Sequence, residues 1–273
     1  WVNERLTFTH GYGLTLGPVN QVTSEGLPVL FVRDLPPQTT AGLSITEPSL
    51  YFGELTNDYA IVRTKTREFH YPRGDDNVFT QYDGQGGVLL DSLWRKLLYA
   101  LRFQAYQIVL SDDIGPESRV LFNRNIRERV RRIAPFLIYD QDPYLVLADG
   151  RLFWFLDAYT TTSLYPYSAP TAGVNYIRNS VKIVIDAYNG TTTFYAADPR
   201  DPVLATYASV FSGMFKPLTE MPATLRAHIR YPEDLFRIQR DVLSLYHVKN
   251  ANAFYGGQDF WRVPRDPSTL GAN

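Results

Sequence analysis

The chain contains 273 residues, of which 45% are hydrophobic and 20% charged, and its formal net charge at pH 7 is −1. This composition is typical of a folded globular protein, and the near-neutral charge gives no general attraction to nucleic acid, so we expect no nucleic-acid partner. The absence of cysteine excludes disulfides, thiolate metal sites and a cysteine nucleophile.

The first 60 residues predict extended, loop-rich structure. Alternating or short apolar runs indicate strands near 30–32 and 59–66, and two prolines follow the first of them. The polar, glycine-rich segment 72–87 then predicts a loop.

Residues 88–135 predict a helical region with two helices. In the first helix, apolar residues recur at i, i+3, i+4, i+7, i+8 and i+11, and we expect this face to lie in the core. These residues are Leu90, Leu93, Trp94, Leu97, Leu98 and Leu101. The second helix is predicted to begin at Pro116 and to end before Pro135.

Five arginines are expected on the outer face of this second helix, and we interpret them as a solvated helix face. They are Arg124, Arg127, Arg129, Arg131 and Arg132. A phosphate or nucleic-acid surface is the alternative, but no aromatic stacking residues are interleaved with them.

Residues 143–197 predict two β-hairpins. The first turns at Asp149-Gly150, residue types that accept the positive φ of a two-residue turn. This turn sets four opposed pairs, and because both faces are apolar, we expect this hairpin to be central and covered on both sides. The pairs are Leu147/Leu152, Leu145/Trp154, Val146/Phe153 and Tyr144/Phe155.

The second hairpin is predicted to turn at Asn189-Gly190. A two-residue turn there places Ile185 opposite Phe194 and Ile183 opposite Ala196, which together form one apolar face. Residues 200–247 predict further helices, the first ending at Gly213. The last helix follows Pro232, and its buried stripe is expected to contain Leu235, Ile238, Val242, Leu245 and Tyr246. The aromatic tail after residue 250 predicts a loop.

No motif of an established catalytic class is present, so we assign no catalytic residue and leave open whether the protein is an enzyme. The sequence has no phosphate-binding loop, no dinucleotide-binding glycine motif, no His-Glu-x-x-His and no Gly-x-Ser-x-Gly. The four histidines show no chelating spacing, which argues against a histidine metal site.

The candidate binding residues are Asp140, Asp142, Asp157 and Tyr159. The first hairpin's register places Asp142 opposite Asp157, and like charges so close call for a cation or a shared proton. Three interpretations stay open: turn-forming acids, a Ca²⁺ or Mg²⁺ site, or an acid/base pair acting on a glycoside. The turn interpretation is favoured, and no cofactor is assigned.

Long stretches of the sequence carry a family resemblance. They include WVNERLTFTHGYG, SLWRKLLYALRF, DPYLVLADGRLFWFLDAYT, NYIRNSVKIVIDAYNGTTTFY and LRAHIRYPEDLFRIQRDV, and they run nearly end to end. They resemble a large bacterial and cyanobacterial membrane-protein family whose members are uncharacterised. The resemblance implies several N-terminal transmembrane helices in the parent protein, with this chain as the core of a large extracytoplasmic region. It implies no activity and no catalytic residue.

We therefore expect an α+β fold in which a mixed or antiparallel sheet built on the hairpins is flanked by amphipathic helices. One domain over 1–273 is expected, as a piece of a longer membrane protein located at the cell membrane on the extracytoplasmic side. The expected function is binding of an envelope ligand or protein partner, or assembly with the protein's own transmembrane region. A cell-envelope hydrolase acting on glycan or lipid through the aspartates is the alternative.

Overall fold

The computed structural model describes residues 1–56, 58–171, 173–259 and 261–264. The fold is α+β, as predicted, and most of its strand pairs are antiparallel. The chain divides into two compact units. The first contains residues Trp1–Tyr139 and Pro143–Ile229, and the second contains Asp140–Asp142 and the chain from Arg230 onward. The single domain expected over 1–273 stays a prediction.

The first unit contains the strands and most of the helices. Its strands are β1 (Gly11–Tyr12), β2 (Val32–Arg33), β3 (Gln38–Thr39), β4 (Ser49–Leu50), β5 (Ala60–Val62), β6 (Glu68–Arg73), β7 (Asp76–Thr80), β8 (Val88–Leu89), β9 (Arg119–Leu121), β10 (Ile138–Tyr139), β11 (Tyr144–Ala148), β12 (Arg151–Thr162), β13 (Tyr176–Asp186), β14 (Thr192–Ala196) and β15 (Phe215–Pro217). Its helices are α1 (Leu93–Phe103), α2 (Gln107–Leu110), α3 (Ile126–Ile133), α4 (Pro202–Val210) and α5 (Ala223–Arg226). The second unit contains α6 (Glu233–Tyr246) and α7 (Ala251–Tyr255).

The turn between β11 and β12 has the predicted form. Asp149 and Gly150 have φ angles of 50° and 76°, which is the left-handed backbone that a two-residue turn of this class requires. The register follows from the turn, and all four predicted pairs of the first hairpin are confirmed.

A six-stranded sheet organises the first unit. Its order is β10-β12-β13-β14-β15, with β11 also paired to β12, and only the β14–β15 pair is parallel. Strand β12 is therefore central, as predicted, whereas β11 pairs only with β12 among the described strands.

Apolar clusters cover both faces of this sheet. On one face, Ile183 and Phe194 join Val130 of α3 and Leu204 of α4 in the largest buried cluster. On the other face, Phe155 and Val184 pack with Met221 and Leu225. A third cluster lies beneath α1 and α2, around Leu6, Ile61, Ile108 and Val120. The expected coverage of both sheet faces is confirmed.

The second hairpin has a longer turn than predicted. Ile183 pairs with Phe194 and Ile185 with Thr192, so the predicted pairing is wrong by two residues. The carboxylate of Asp186 accepts hydrogen bonds from the backbone N–H groups of Tyr188 and Asn189, at 2.8 and 2.9 Å, and lengthens the loop. A two-residue shift keeps each side chain on its face, so the predicted apolar face is retained.

Two other predictions need correction in the region before the sheet. The segment 72–87 is not a loop throughout, because β6 and β7 form a hairpin around Gly74, whose φ is 63°. The strand expected at 59–66 is confined to Ala60–Val62. The strand expected near 30–32 is observed as Val32–Arg33.

The helix expected from Pro116 is also wrong over its first half. Residues Arg119–Leu121 form β9, which lies between β5 and β8 with Val120 and Leu121 fully buried. The helix begins only after Asn125, whose side-chain oxygen accepts from the N–H groups of Arg127 and Glu128, both at 3.1 Å. Pairing on both edges of β9 overrides the local helix signal.

The C-terminal helices are present with different limits and faces. Helix α4 ends at Val210, not at Gly213. In α6 no residue is fully buried, and Val242 and Tyr246 are 43% and 62% exposed, so its predicted buried stripe is wrong. The start of the tail forms α7 where a loop was expected, whereas residues 256–259 and 261–264 lie in no helix or strand. Phe260 and residues 265–267 of that prediction lie outside the described residues.

Candidate functional site

Asp157 lies in the middle of the large sheet and forms an ion pair with Lys182. The two residues are directly opposed on β12 and β13, and the Lys182 ammonium donates to the Asp157 carboxylate. Their side chains are only 4% and 8% exposed. Buried charges of opposite sign satisfy each other in this arrangement, so this carboxylate has a structural partner.

Tyr159 lies two residues further along β12 and is 1% exposed. It pairs with Ile138 across the β10–β12 ladder, next to an irregularity in the β12–β13 register between Ala158 and Thr160. An aromatic ring buried at this depth is typical of packing within the sheet.

Asp140 and Asp142 belong to the second unit. Asp140 accepts from the N–H of Asp142 at 2.9 Å and from the N–H of Asp234 at 3.0 Å. The Asp234 carboxylate in turn accepts from the N–H of Gln141 at 2.9 Å, so the two acids cap the start of α6 reciprocally. Asp142 forms an ion pair with Arg230.

The four predicted binding residues are thus divided between the two units, and Asp140, Asp142 and Asp157 take part in hydrogen bonds or ion pairs of structural type. Within the described residues, no group of three or more His, Cys, Asp or Glu side chains could hold a metal ion. The assignment of these residues to a ligand stays a prediction.

Helix α3 places only part of its arginine set toward solvent. Arg124 precedes the helix and is 6% exposed; its guanidinium donates to the backbone oxygens of Tyr51 at 2.6 Å and of Thr9. Burial lowers the pKa of Arg124 to about 10. The prediction that Arg124 lies on a solvated helix face is therefore wrong, and the residue ties three segments of the first unit together.

The apolar stripe of α1 faces solvent. Five of the six large apolar residues predicted for the buried stripe have exposures between 43% and 78%. The sixth, Leu90, precedes the helix and is fully buried. The five are Leu93, Trp94, Leu97, Leu98 and Leu101. The expectation that this stripe lies in the core is wrong.

The opposite side of α1 packs inward and explains the orientation of the helix. Tyr99, Ala100 and Phe103 contact the cluster beneath the helix, and the ring of Phe103 stacks on Tyr59 with centroids 4.1 Å apart. Lys96 donates to the backbone oxygen of Ile114 at 2.6 Å. The helix therefore has two apolar sides, and the aromatic one is the buried one.

The exposed apolar surface extends onto α2, which packs beside α1. Tyr106, the residue before α2, and Leu110, its last residue, are 69% and 72% exposed. They also line a shallow cavity of about 490 Å³ that is shared with Trp1 and Val2. We call the five exposed residues of α1 together with Tyr106 and Leu110 the α1 surface. Large contiguous patches of exposed apolar surface are typical of interaction sites.

A buried polar cluster in the first unit was missed from the sequence. His10 and His70 are 60 residues apart in the chain, yet His10 Nε2 and His70 Nδ1 are 3.0 Å apart. The carboxylate of Glu68 lies on the other side of His10, 3.7 Å from Nδ1. No spacing rule links these residues, because the contact depends on the packing of the N-terminal segment against β6.

Fold and surface together define this chain as an α+β module with an exposed apolar helix face. The chain belongs to UPF0182, an uncharacterised protein family whose model matches residues 1–271. It is 51% identical to a UPF0182 protein of Moorella thermoacetica over 269 residues and 49% identical to one of Pelotomaculum thermopropionicum over 267 residues. A UPF0182 protein of Synechococcus sp. (strain JA-3-3Ab) is 51% identical over 273 residues.

These bacterial relatives are much longer than the chain. Each alignment covers 97% of the chain but only 29–32% of the relative. The chain therefore spans about 30% of the length of the curated relatives that it matches. No solved structure matches. Among the described residues, every helix is too short or too polar to cross a membrane.

Proposed function

We propose that this chain is the partner-binding and assembly module of a longer bacterial membrane protein, on its extracytoplasmic side, and that its α1 surface docks onto the remainder of that protein. The observation that carries the proposal is the exposure of Leu93, Trp94, Leu97, Leu98 and Leu101 on one side of a helix whose other side is packed. The membrane setting is supported by the family resemblance of the sequence.

The length of the relatives supports an intramolecular partner. About two thirds of each relative lies outside the region that this chain matches, so the remainder is a large surface that is always present at a high effective concentration. Covering the five side chains would contribute roughly 1–2 kcal/mol for each of them. Gains of this size outweigh the cost of ordering two parts of the same polypeptide.

A chimera tests the docking directly. This chain replaces the matched region of the Moorella thermoacetica relative, and a photo-crosslinking amino acid is placed at Leu101, which is 78% exposed. The matched control carries the same group at Arg95, a half-exposed polar position of α1. We expect crosslinks from position 101, and not from position 95, to peptides outside the 273 residues.

A second variant separates docking from folding. Leu98→Gln/Leu101→Gln changes only exposed positions, so the isolated chain should keep its melting temperature, because surface substitutions usually change stability by about 0.5 kcal/mol or less. For the chimera, the photo-crosslinking amino acid is moved to position 94, where it should give crosslinks to peptides outside the 273 residues that the double change abolishes. Crosslinks that join two copies of the chain, or no crosslinks from position 101, would refute docking onto the remainder of the protein.

The alternative is a cell-envelope hydrolase that uses Asp140, Asp142 and Asp157. We rank it second because Asp157 is buried against Lys182 and Asp142 pairs with Arg230. Turnover of envelope glycan or lipid that Asp157→Asn removes from a folded protein would reverse this ranking.

A further inference from the structure

A chain of hydrogen bonds joins the N-terminal segment to strand β6. The Thr9 hydroxyl donates to Glu68 Oε2 at 2.5 Å, and Thr9 Oγ1 lies 2.9 Å from His10 Nδ1. His10 Nε2 then meets His70 Nδ1 at 3.0 Å. The side chains of His10 and Glu68 are completely buried, so this series of hydrogen bonds leads from a buried carboxylate to the imidazole of His70.

The direction of these hydrogen bonds follows from the charge of Glu68. Burial alone would raise the pKa of Glu68, but hydrogen bonds from His10, Thr9, the Tyr82 N–H and Tyr51 outweigh it and lower the pKa. The carboxylate is therefore ionised and accepts only. Thr9 donates to it and accepts from His10 Nδ1–H, which leaves His10 Nε2 as the acceptor for His70 Nδ1–H.

This arrangement tolerates one added proton but not two. A first proton on the outer nitrogen of His70 leaves its Nδ1–H donating to His10. A second proton must go to His10 Nε2, and then both facing nitrogens carry hydrogen and neither has a lone pair. Two imidazolium groups 3.0 Å apart also repel each other, so the contact is lost.

The groups around the pair do not supply a substitute contact. Tyr51 stacks on His10 with centroids 4.6 Å apart, and its pKa is raised first by burial and then by Glu68. The ring of Tyr12 meets His70 edge-on at 4.3 Å. Glu47 and Glu68 favour a charged His70, but burial and the neighbouring His10 dominate and lower the pKa of His70.

Two further groups lie near the pair. Tyr71 of β6 lies beside His70, with ring centroids 5.2 Å apart. The buried guanidinium of Arg124 donates to the Thr9 backbone oxygen, next to His10.

We propose that His10 and His70 form an acid-sensitive latch that holds residues 1–12 against strand β6 and opens when both imidazoles are protonated. The latch responds to protonation of these two imidazoles. The latch is independent of the proposed docking of α1, because none of its residues lies on the α1 surface.

The sign of the pH effect follows from proton binding. The unfolded chain protonates His70 near pH 6.5, whereas burial and the neighbouring His10 lower the pKa of His70 in the folded protein. The contribution of the latch to the free energy of unfolding is therefore complete above about pH 6.5 and is lost as the pH falls below this value. If one imidazole is fully excluded, the unfolding equilibrium constant rises at most about tenfold between pH 7.5 and 5.5.

His70→Asn tests the latch with little change in geometry. The asparagine amide occupies the position of the imidazole Nδ1 and donates to His10, and it presents its oxygen after a flip when His10 is protonated. In urea unfolding, the unfolding equilibrium constant of the wild type should rise between pH 7.5 and pH 5.5 by up to about tenfold. In His70→Asn, most of this rise should be absent. His228→Asn, at an exposed position, is the matched control and should behave as the wild type.

Hydrogen exchange of the wild type supplies a readout that does not depend on a variant. At pH 5.5, after correction for the intrinsic rate, exchange should rise several-fold in residues 1–12 and 68–73 relative to the β12–β13 strands. Equal pH slopes for wild type and His70→Asn, an equal loss in His228→Asn, or uniform exchange across the chain would overturn the latch. Two separate histidine titrations at ordinary pKa values in NMR spectra would overturn it as well.

Discussion

Lys182→Met is expected to be among the most damaging single changes in the large sheet. The ammonium of Lys182 forms an ion pair with Asp157, and their side chains are 8% and 4% exposed. Methionine keeps most of the volume, so the main effect is the loss of the cation beside a buried carboxylate. Breaking a buried pair from one side costs about 3–5 kcal/mol.

Urea and thermal unfolding, followed by tryptophan fluorescence, measure this loss. For a chain of this size, 1 kcal/mol corresponds to roughly 2–4 °C in the melting temperature, so Lys182→Met should melt roughly 6–20 °C lower than the wild type. The double variant Asp157→Leu/Lys182→Met should recover most of the stability, because two apolar side chains need no counter-charge.

Arg151→Met is the matched control for this measurement. Arg151 forms an ion pair with Asp186 in the same sheet, but its side chain is 40% exposed, and exposed pairs contribute about 0–1 kcal/mol. A loss below about 1 kcal/mol in Lys182→Met, or a double variant as unstable as the sum of the single variants, would show that burial of the pair has been misjudged.

Three further changes test local features of the first unit by urea unfolding. Gly190→Ala should destabilise the protein by about 1–3 kcal/mol, because Gly190 has a φ of 71° and an added Cβ would lie 2.4 Å from the Phe52 ring. The control Gly115→Ala should be nearly neutral, because nothing lies within 4 Å of its Cβ. Equal losses of stability in the two variants would contradict this. Asn125→Ala removes the N-cap of α3 and should cost about 1 kcal/mol, whereas no loss would mean that the cap is dispensable. Burial tends to raise the pKa of Asp201, but hydrogen bonds from Ser180, Thr160 and others outweigh it and lower the pKa. The contribution of Asp201 to the free energy of unfolding is therefore complete above about pH 4 and is lost as the pH falls further. Asp201→Asn should reduce the loss of stability below pH 4, and an unchanged loss would refute this assignment.

Local sequence rules worked where a short segment fixes its own geometry. The Asp149-Gly150 turn set the pairing of β11 with β12, since the turn length determines the register. The predicted turn at Asn189-Gly190 failed by two residues because the Asp186 carboxylate captures two N–H groups of the loop. The face assignment survived this error, because side chains alternate with a period of two.

Predictions that needed a packing partner were less successful. The stripe of α1 correctly indicated an amphipathic helix, but the buried side is the one with Tyr99 and Phe103. Hydrophobicity does not tell which apolar side a protein uses internally and which it offers to another surface. Likewise, no sequence pattern indicated that Lys182 on β13 would lie opposite Asp157 on β12, because that register is set by the packing of the two strands.

The sequence by itself determined the α+β class, the first hairpin and the family of this protein, because composition, turn chemistry and long similarity are all carried by neighbouring residues. The tertiary structure alone decided the exposure of α1, the burial of Arg124 and the meeting of His10 with His70. These features depend on contacts between segments far apart in the chain, whose energies no local pattern records. The proposed docking surface and the acid-sensitive latch both arise from that long-range packing.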